Sequence, residues 1–142
     1  DLLATCAALL DVSLPVEAGE DSISFLLTLL NTAGGAPRET VVHHSIRGNF
    51  AIRDARWKLE LCADSGGWSK GGAVETAGQL YDMSQDVGER VNEYAAHPEI
   101  VTRLTALLEQ SVADGRSTPG PIQQNDVAID LWKRNARAVP ME

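Results

Sequence analysis

The sequence predicts an α+β fold: a small antiparallel sheet of about four strands packed with a C-terminal helix and preceded by two short helices. Apolar residues recur at helical spacing before residue 31 and again from residue 98 to residue 113. Between residues 40 and 83 the spacing changes to two, which is typical of strands. The connections between the first strand candidates are only a few residues long, so neighbouring strands must be antiparallel.

The first 36 residues predict two short helices. Their apolar positions are Leu2, Leu3, Cys6, Leu9 and Leu10 in the first, and Ile23, Leu26, Leu27 and Leu30 in the second. Asp1 is placed to cap the first helix at residues 1–11, and Asp21 or Ser22 to cap the second. Isolated helices shorter than about 12–15 residues are marginal in water. We therefore expect the apolar faces of both helices to need another body to cover them.

A linker rich in glycine at residues 32–37 precedes the change of period and predicts the main boundary of the chain. We accordingly predict three segments: a helical segment at residues 1–36, a sheet-and-helix subdomain at 37–115 and an extended tail at 116–142.

Four segments of the middle part alternate as strands do: residues 40–45, 49–53, 57–62 and 79–83. Arg47-Gly48 supplies a turn between the first two, and Gly48 is free to adopt positive φ. The turn at Asp54-Ala55 is less typical, because a tight hairpin prefers glycine where Ala55 stands. Residues 63–78 predict a long loop, in which Trp68 could line a ligand cleft or anchor the loop.

The clearest helix follows, with Pro98 at its first position and Glu99 in its first turn. Its apolar stripe includes Leu104 and Leu108, so we expect it to pack across one face of the sheet. Gly115 is expected to end it.

Composition excludes several classes of partner. The net charge of −8 and a pI near 4.8 argue against binding to nucleic acid or to an anionic membrane, since both would repel this protein. The longest apolar stretch, at residues 23–30, is far shorter than the roughly 20 residues that span a bilayer. Cys6 and Cys62 lack the spacing of a zinc site; a disulfide between them stays open, and Cys6 is expected to be a small buried hydrophobe.

The histidines are the most reactive candidates. His43 and His44 are adjacent on a strand, so they point to opposite faces and cannot share a metal ion in the usual way. His97 precedes the last helix, as a residue of its capping region would. The chain contains no G-x-S-x-G elbow and no phosphate-binding glycine motif. We therefore predict no catalytic residue and no metal site within the chain.

Four segments together resemble the C-terminal portion of type I sulfatases, a family of the alkaline-phosphatase-like superfamily. They are residues 1–5 (DLLAT), 19–26 (GEDSISFL), 50–59 (FAIRDARWKL) and 79–89 (QLYDMSQDVGE). The matching family patterns are D-L-x-x-T, D-G-x-S-L-x-P-L, A-I-R-x-G-x-x-K-L and L-Y-D-L-x-x-D-P-x-E. Residues 43–45 (HHS), before the third segment, are similar to bacterial arylsulfatases in particular.

The resemblance implies a role by position. The two short helices would belong to the catalytic domain of a full-length sulfatase, and the subdomain would pack on that domain and shape the substrate cleft. Family members attack sulfate esters with a formylglycine made in C-x-P-x-R, aided by calcium, and this chain contains no such motif. We therefore expect the chain to hold no cofactor and to be inactive alone. The resemblance also suggests a periplasmic or secreted parent.

His43, His44 and Arg47 are the substrate-cleft candidates. Alternation places one histidine of the pair opposite the core, where it could contact a sulfated substrate with help from Arg47. The structural alternative is a half-buried ring bonded to backbone carbonyls. Two other functions stay open: a free-standing interaction module, and an independent hydrolase that uses either histidine. Besides the catalytic domain as partner, self-association through uncovered leucines is expected.

Overall fold

A computed structural model describes residues 1–35, 38–67 and 75–133, and it confirms the α+β class. The strands are β1 (Val41–His44), β2 (Phe50–Arg53), β3 (Trp57–Glu60) and β4 (Gln79–Asp82), and the helices are α1 (Leu2–Leu9), α2 (Leu26–Leu29) and α3 (Pro98–Asp114). Trp68, part of the loop around it and the end of the predicted tail lie outside the described residues. Among the described residues, no helix has the length and apolar character needed to cross a membrane.

The chain divides into two compact units. One comprises Asp1–Glu39 and Gln110–Asp126, and the other comprises Thr40–Glu109 and Val127–Glu142. The second unit contains the sheet and the candidate site.

The sheet has the strand order β1-β2-β3-β4, with every neighbouring pair antiparallel. In register, Ile52 lies opposite Leu59, which lies opposite Leu80, so one face is apolar across three strands. These three side chains and those of Leu104 and Leu108 in α3 form one buried cluster, each less than 2% exposed. The expected packing of the last helix on the sheet is therefore confirmed.

Polar side chains hold the two hairpin turns. Between β1 and β2 the Ser45 hydroxyl accepts hydrogen bonds from the Arg47 and Asn49 amides, and Gly48 adopts a φ of 74° that favours glycine. Between β2 and β3 the Asp54 carboxylate accepts from the Arg56 amide at 2.9 Å. This carboxylate compensates for the missing glycine at Ala55, since an Asx bond closes a turn without positive φ.

Asp54 also receives hydrogen bonds from the Trp57 amide and the Arg103 guanidinium. Burial acts to raise its pKa, but these bonds from Trp57, Arg103 and Arg56 outweigh burial and hold the pKa below its ordinary value. The carboxylate is therefore ionised at neutral pH and ties the β2–β3 turn to α3.

The helical unit departs from the prediction in three respects. Helix α2 begins at Leu26 rather than near Asp21, because the preceding amides donate elsewhere: Ile23 to the Asp1 carboxylate and Phe25 to the Thr5 hydroxyl. Asp1 therefore does not cap α1 with its side chain. Cys6 is exposed rather than buried, because Thr5 is the residue of α1 that faces inward in this unit.

We expect Leu104→Ala to destabilise the protein by about 2–5 kcal/mol, because it removes buried methyl groups and leaves a cavity under the sheet. Leu107→Ala is the matched control: its side chain is 39% exposed on the same helix, so its cost should be about 1 kcal/mol. Urea unfolding followed by circular dichroism measures both. Equal losses for the two variants would contradict the packing described here.

Candidate functional site

A cavity of about 160 Å³ opens on the sheet beside the first hairpin. One wall comes from β1 and its turn, with His43, Ser45 and Asn49, and another from β3 and the residues that follow it. Lys58, Glu60 and Cys62 form that second wall, and Ser65 lies at its end. Most of these groups are polar, so the cavity suits a ligand that makes hydrogen bonds.

Strand alternation determines which face each candidate histidine occupies. His43 pairs with Ala51, the neighbour of Glu60, and therefore lies on the face opposite the apolar cluster. His44 pairs with Phe50, and their rings meet edge to face with centroids 4.2 Å apart. Both histidines contribute to the cavity walls, but His44 also packs against a core residue.

Arg47 lies in the turn after β1, and its side chain is 60% exposed. Its Nη1 atom is 3.8 Å from a carboxylate oxygen of Asp64, a weak ion pair at the surface. The residues that line the cavity do not include it. The structure thus brings His43 and His44 to one cavity and leaves Arg47 at its periphery.

Lys58 carries the central positive charge of the cavity, and two carboxylates neutralise it. Its ammonium lies 2.6 Å from Glu60 and 2.7 Å from Glu89. Burial acts to lower the pKa of Lys58, but hydrogen bonds to Glu60 and Glu89 outweigh it and raise that pKa. The lysine is charged, yet its donors are already directed at two acids.

The imidazole of His43 is held in its neutral form. Partial burial is the main cause that lowers its pKa, and the charge of Lys58 adds to the effect, while Glu60 opposes it. In a neutral imidazole one ring nitrogen donates a hydrogen bond and the other accepts one. His43 therefore offers a ligand both kinds of contact without a charge.

Cys62 does not have the character of a nucleophile. Its thiol donates to the Asp64 carbonyl oxygen at 3.2 Å, and burial, followed by the charges of Glu60 and Asp64, raises its pKa. Both cysteines of the chain are free, which answers the question of a disulfide.

The family resemblance implies a calcium ion in the catalytic domain of the parent and none in this chain. No three histidine, cysteine, aspartate or glutamate side chains among the described residues converge as a metal site would require. His97 contacts Glu99 at 3.1 Å and the ring of Trp57 at 5.0 Å, so it belongs to the N-terminal end of α3 and not to the cavity.

Sequence reasoning missed Gln79, which the structure places beside the cavity. This side chain is 8% exposed, and its amide nitrogen donates to the backbone oxygens of Cys62 and Asp64, each at 3.0 Å. Its amide oxygen accepts from the Tyr81 hydroxyl at 2.7 Å. The sequence pattern that could have identified Gln79 is its spacing of two from Tyr81, which places both side chains on the strand face opposite Leu80.

Similarity to known proteins extends over most of the chain. A curated N-acetylgalactosamine-6-O-sulfatase from Bacteroides thetaiotaomicron is 36% identical over 116 residues, which cover 77% of this chain and 22% of the relative. A solved structure that is linked to the metabolism of multiple glycosaminoglycans by the same organism is 34% identical, with a TM-score of 0.61 over 78% of this chain and 24% of that protein.

A solved 2-O GAG sulfatase is 25% identical, with a TM-score of 0.53 over 79% of this chain and 24% of its own. No protein-family model matches the chain. The chain thus spans about a fifth of the length of the curated relative.

We expect the stability of the protein to fall as the pH is lowered through and below about 6.5, the ordinary histidine pKa. Since the pKa of His43 is lowered in the folded protein, the unfolded chain binds a proton there that the folded chain does not. Urea unfolding is measured between about pH 5 and about pH 8, on either side of that ordinary value. The free energy of unfolding should fall less on acidification in His43→Asn than in the wild type. An unchanged dependence in His43→Asn would contradict the assignment.

Proposed function

We propose that this chain, which is homologous to a C-terminal portion of sulfatases, walls the substrate cleft of its parent enzyme and supplies no reacting group. The observation that carries the proposal is the polar cavity beside His43, built on a sheet whose other face is packed against α3. A binding wall needs such a rigid support, because ligand contacts depend on positions held within fractions of an ångström.

The balance of charge in the cavity indicates which part of a substrate it would contact. Among the described residues that line the cavity, Lys58 is paired with two acids and His43 is neutral, so this lining offers a sulfate group no uncompensated positive charge. Sugar hydroxyls, by contrast, donate and accept hydrogen bonds, as His43 and Asn49 do. We therefore propose that the wall contacts the sugar ring, while Arg47 at the periphery of the cavity contacts an anionic substituent.

The substrate class follows from the relatives. One is an N-acetylgalactosamine-6-O-sulfatase by name, and another is linked to the metabolism of multiple glycosaminoglycans by its organism. We propose a sulfated amino sugar of this kind as the substrate of the parent enzyme.

The catalytic domain of the parent is the proposed partner. Helices α1 and α2 expose leucines, among them Leu2 at 71% and Leu9 at 68%. Clusters of exposed apolar side chains of this size mark surfaces that another body covers. In the parent, we propose, they pack on the catalytic domain.

The first expectation is that the purified chain does not hydrolyse an aryl sulfate ester with or without calcium, because Cys62 is a protonated thiol and the C-x-P-x-R motif is absent from its sequence. Release of the aryl alcohol is measured against buffer and against a Cys62→Ala variant. Calcium-dependent turnover that both the wild type and this variant retain would place reacting groups in the chain and contradict the proposal.

The second expectation concerns binding. N-acetylgalactosamine 6-sulfate, titrated into the chain, should shift the imidazole NMR signals of His43, and His43→Ala should weaken the affinity about two- to tenfold, since one neutral hydrogen bond is lost. His97→Ala is the matched control and should bind as the wild type does.

Unsulfated N-acetylgalactosamine distinguishes the two parts of the ligand. If the wall contacts the sugar ring, unsulfated N-acetylgalactosamine should shift the same His43 signals as the sulfated sugar does. Binding that requires the sulfate, or that survives unchanged in His43→Ala, would contradict the proposed contact.

A further inference from the structure

We infer that Gln79 is a positioning residue of the cleft: its amide holds the turn of residues 62–66, which forms one wall of the cavity, in place against the first hairpin. The inference rests on the proposed function for its biological meaning, but its geometry stands on the contacts of Gln79 alone. Gln79 does not itself line the cavity, whereas Cys62 and Ser65 of the 62–66 turn do.

Gln79 makes two hydrogen bonds that cross from β4 to the 62–66 turn, and a third with Tyr81 of its own strand. The amide nitrogen donates to the Cys62 and Asp64 carbonyl oxygens, each at 3.0 Å, and the amide oxygen accepts from the Tyr81 hydroxyl at 2.7 Å. Burial, followed by the charge of Glu60, raises the pKa of Tyr81, so its hydroxyl remains a donor. The bond from Tyr81 thus fixes the Gln79 amide in the orientation that directs its nitrogen at the turn.

The other side of the 62–66 turn rests on the hairpin between β1 and β2. The Gly66 amide donates to the Asp64 carboxylate at 2.8 Å, and the Gly66 carbonyl accepts from the Arg47 amide at 3.4 Å. A β-carbon at Gly66 would lie 2.9 Å from the Ser45 side chain. The turn is therefore confined between Gln79 and Ser45, and any movement of it changes the width of the cavity.

The chemistry of this position favours glutamine over its nearest substitutes. Two backbone oxygens need a donor and one hydroxyl needs an acceptor, and a primary amide provides both at the right length. Glutamate would direct oxygen at two carbonyls and at Glu60. Methionine keeps the length and apolar volume but makes no such bonds, so Gln79→Met removes the hydrogen bonds with little change of shape.

The experiment uses the 142-residue chain and measures the accessibility of the Cys62 thiol, which lies in the turn. Both cysteines are alkylated with iodoacetamide, and mass spectrometry of peptides measures the rate at each. Cys62 is half-buried and hydrogen-bonded to Asp64, so its rate rises when the turn opens. Cys6 is exposed and serves as the internal reference. We expect Gln79→Met to raise the alkylation rate of Cys62 about tenfold relative to Cys6, since two hydrogen bonds to the turn are lost. Tyr81→Phe, which removes one contact, should raise it less.

Two control variants separate positioning from a general loss of stability. Gln85→Met makes the same substitution at an exposed glutamine and should leave the rate unchanged. Leu104→Ala weakens the core without touching the turn, so it should raise the Cys62 rate less than Gln79→Met does. An equal or larger rise in Leu104→Ala would overturn the inference.

The second readout is the pKa of His43, obtained by NMR titration. If the turn closes the cavity, its release admits water and the pKa of His43 should rise towards its ordinary value, because burial is what mainly lowers it. Faster alkylation of Cys62 with an unchanged His43 titration would overturn the inference. Neither readout uses a saccharide, so absence of saccharide binding in the wild type would contradict the proposed function without deciding the role of Gln79.

Discussion

The packing of α3 against one face of the sheet is the constraint on which the rest of the subdomain depends. Ile52, Leu59 and Leu80 are nearly inaccessible beneath Leu104 and Leu108. Because successive strand residues point to opposite faces, burying this set sends their neighbours to the other side. The positions of His43, Lys58 and Glu60 on one face are therefore consequences of the apolar core. A slip of one residue in register would exchange the two faces.

The polar face meets a different requirement, which is to compensate its charges. Lys58 and Glu60 have side chains less than 20% exposed, where an unpaired charge would be costly. The ammonium is shared between Glu60 and Glu89, and the amide of Gln79 also lies 3.4 Å from Glu60. The result is a cavity with little net charge in a protein of strongly negative charge.

Three turns next to the sheet use bonds from side chains to the backbone, two of them together with a glycine at positive φ, Gly48 and Gly66. Ser45 closes the first hairpin turn, Asp54 the second, and Gln79 holds the 62–66 turn from a distance. Such bonds give a turn a defined shape where the local sequence lacks strong turn formers. They also explain how Ala55 is tolerated where a hairpin would prefer glycine. Each of these turns borders either the core or the cavity, so the geometry of the turns and the geometry of the cavity are linked.

The sequence by itself determined the order and type of the elements. The sequence was sufficient to predict the four alternating segments, the apolar stripe that contains Leu104 and the turn at Gly48. These predictions succeeded because periodicity and turn chemistry are local properties. Alternation alone also placed His43 and His44 on opposite faces. Tertiary structure decided what depends on distant partners. Helix α2 begins late because amides near Ile23 bond to residues about 20 positions earlier, and Cys6 is exposed because the fold turns Thr5 inward.

The same distinction divides the candidate site. Strand register decides which histidine faces away from the core. It also decides that Arg47 lies outside the cavity and which groups Gln79 contacts. Gln79 lies 15 residues from Asp64 along the chain, yet β4 pairs beside β3 and brings them to hydrogen-bonding distance. A sequence pattern records the period of each strand, but it does not record which strand lies alongside. The chemistry of individual residues could therefore be read from the sequence, whereas their assembly into a cavity was decided by the pairing of strands after the core had formed.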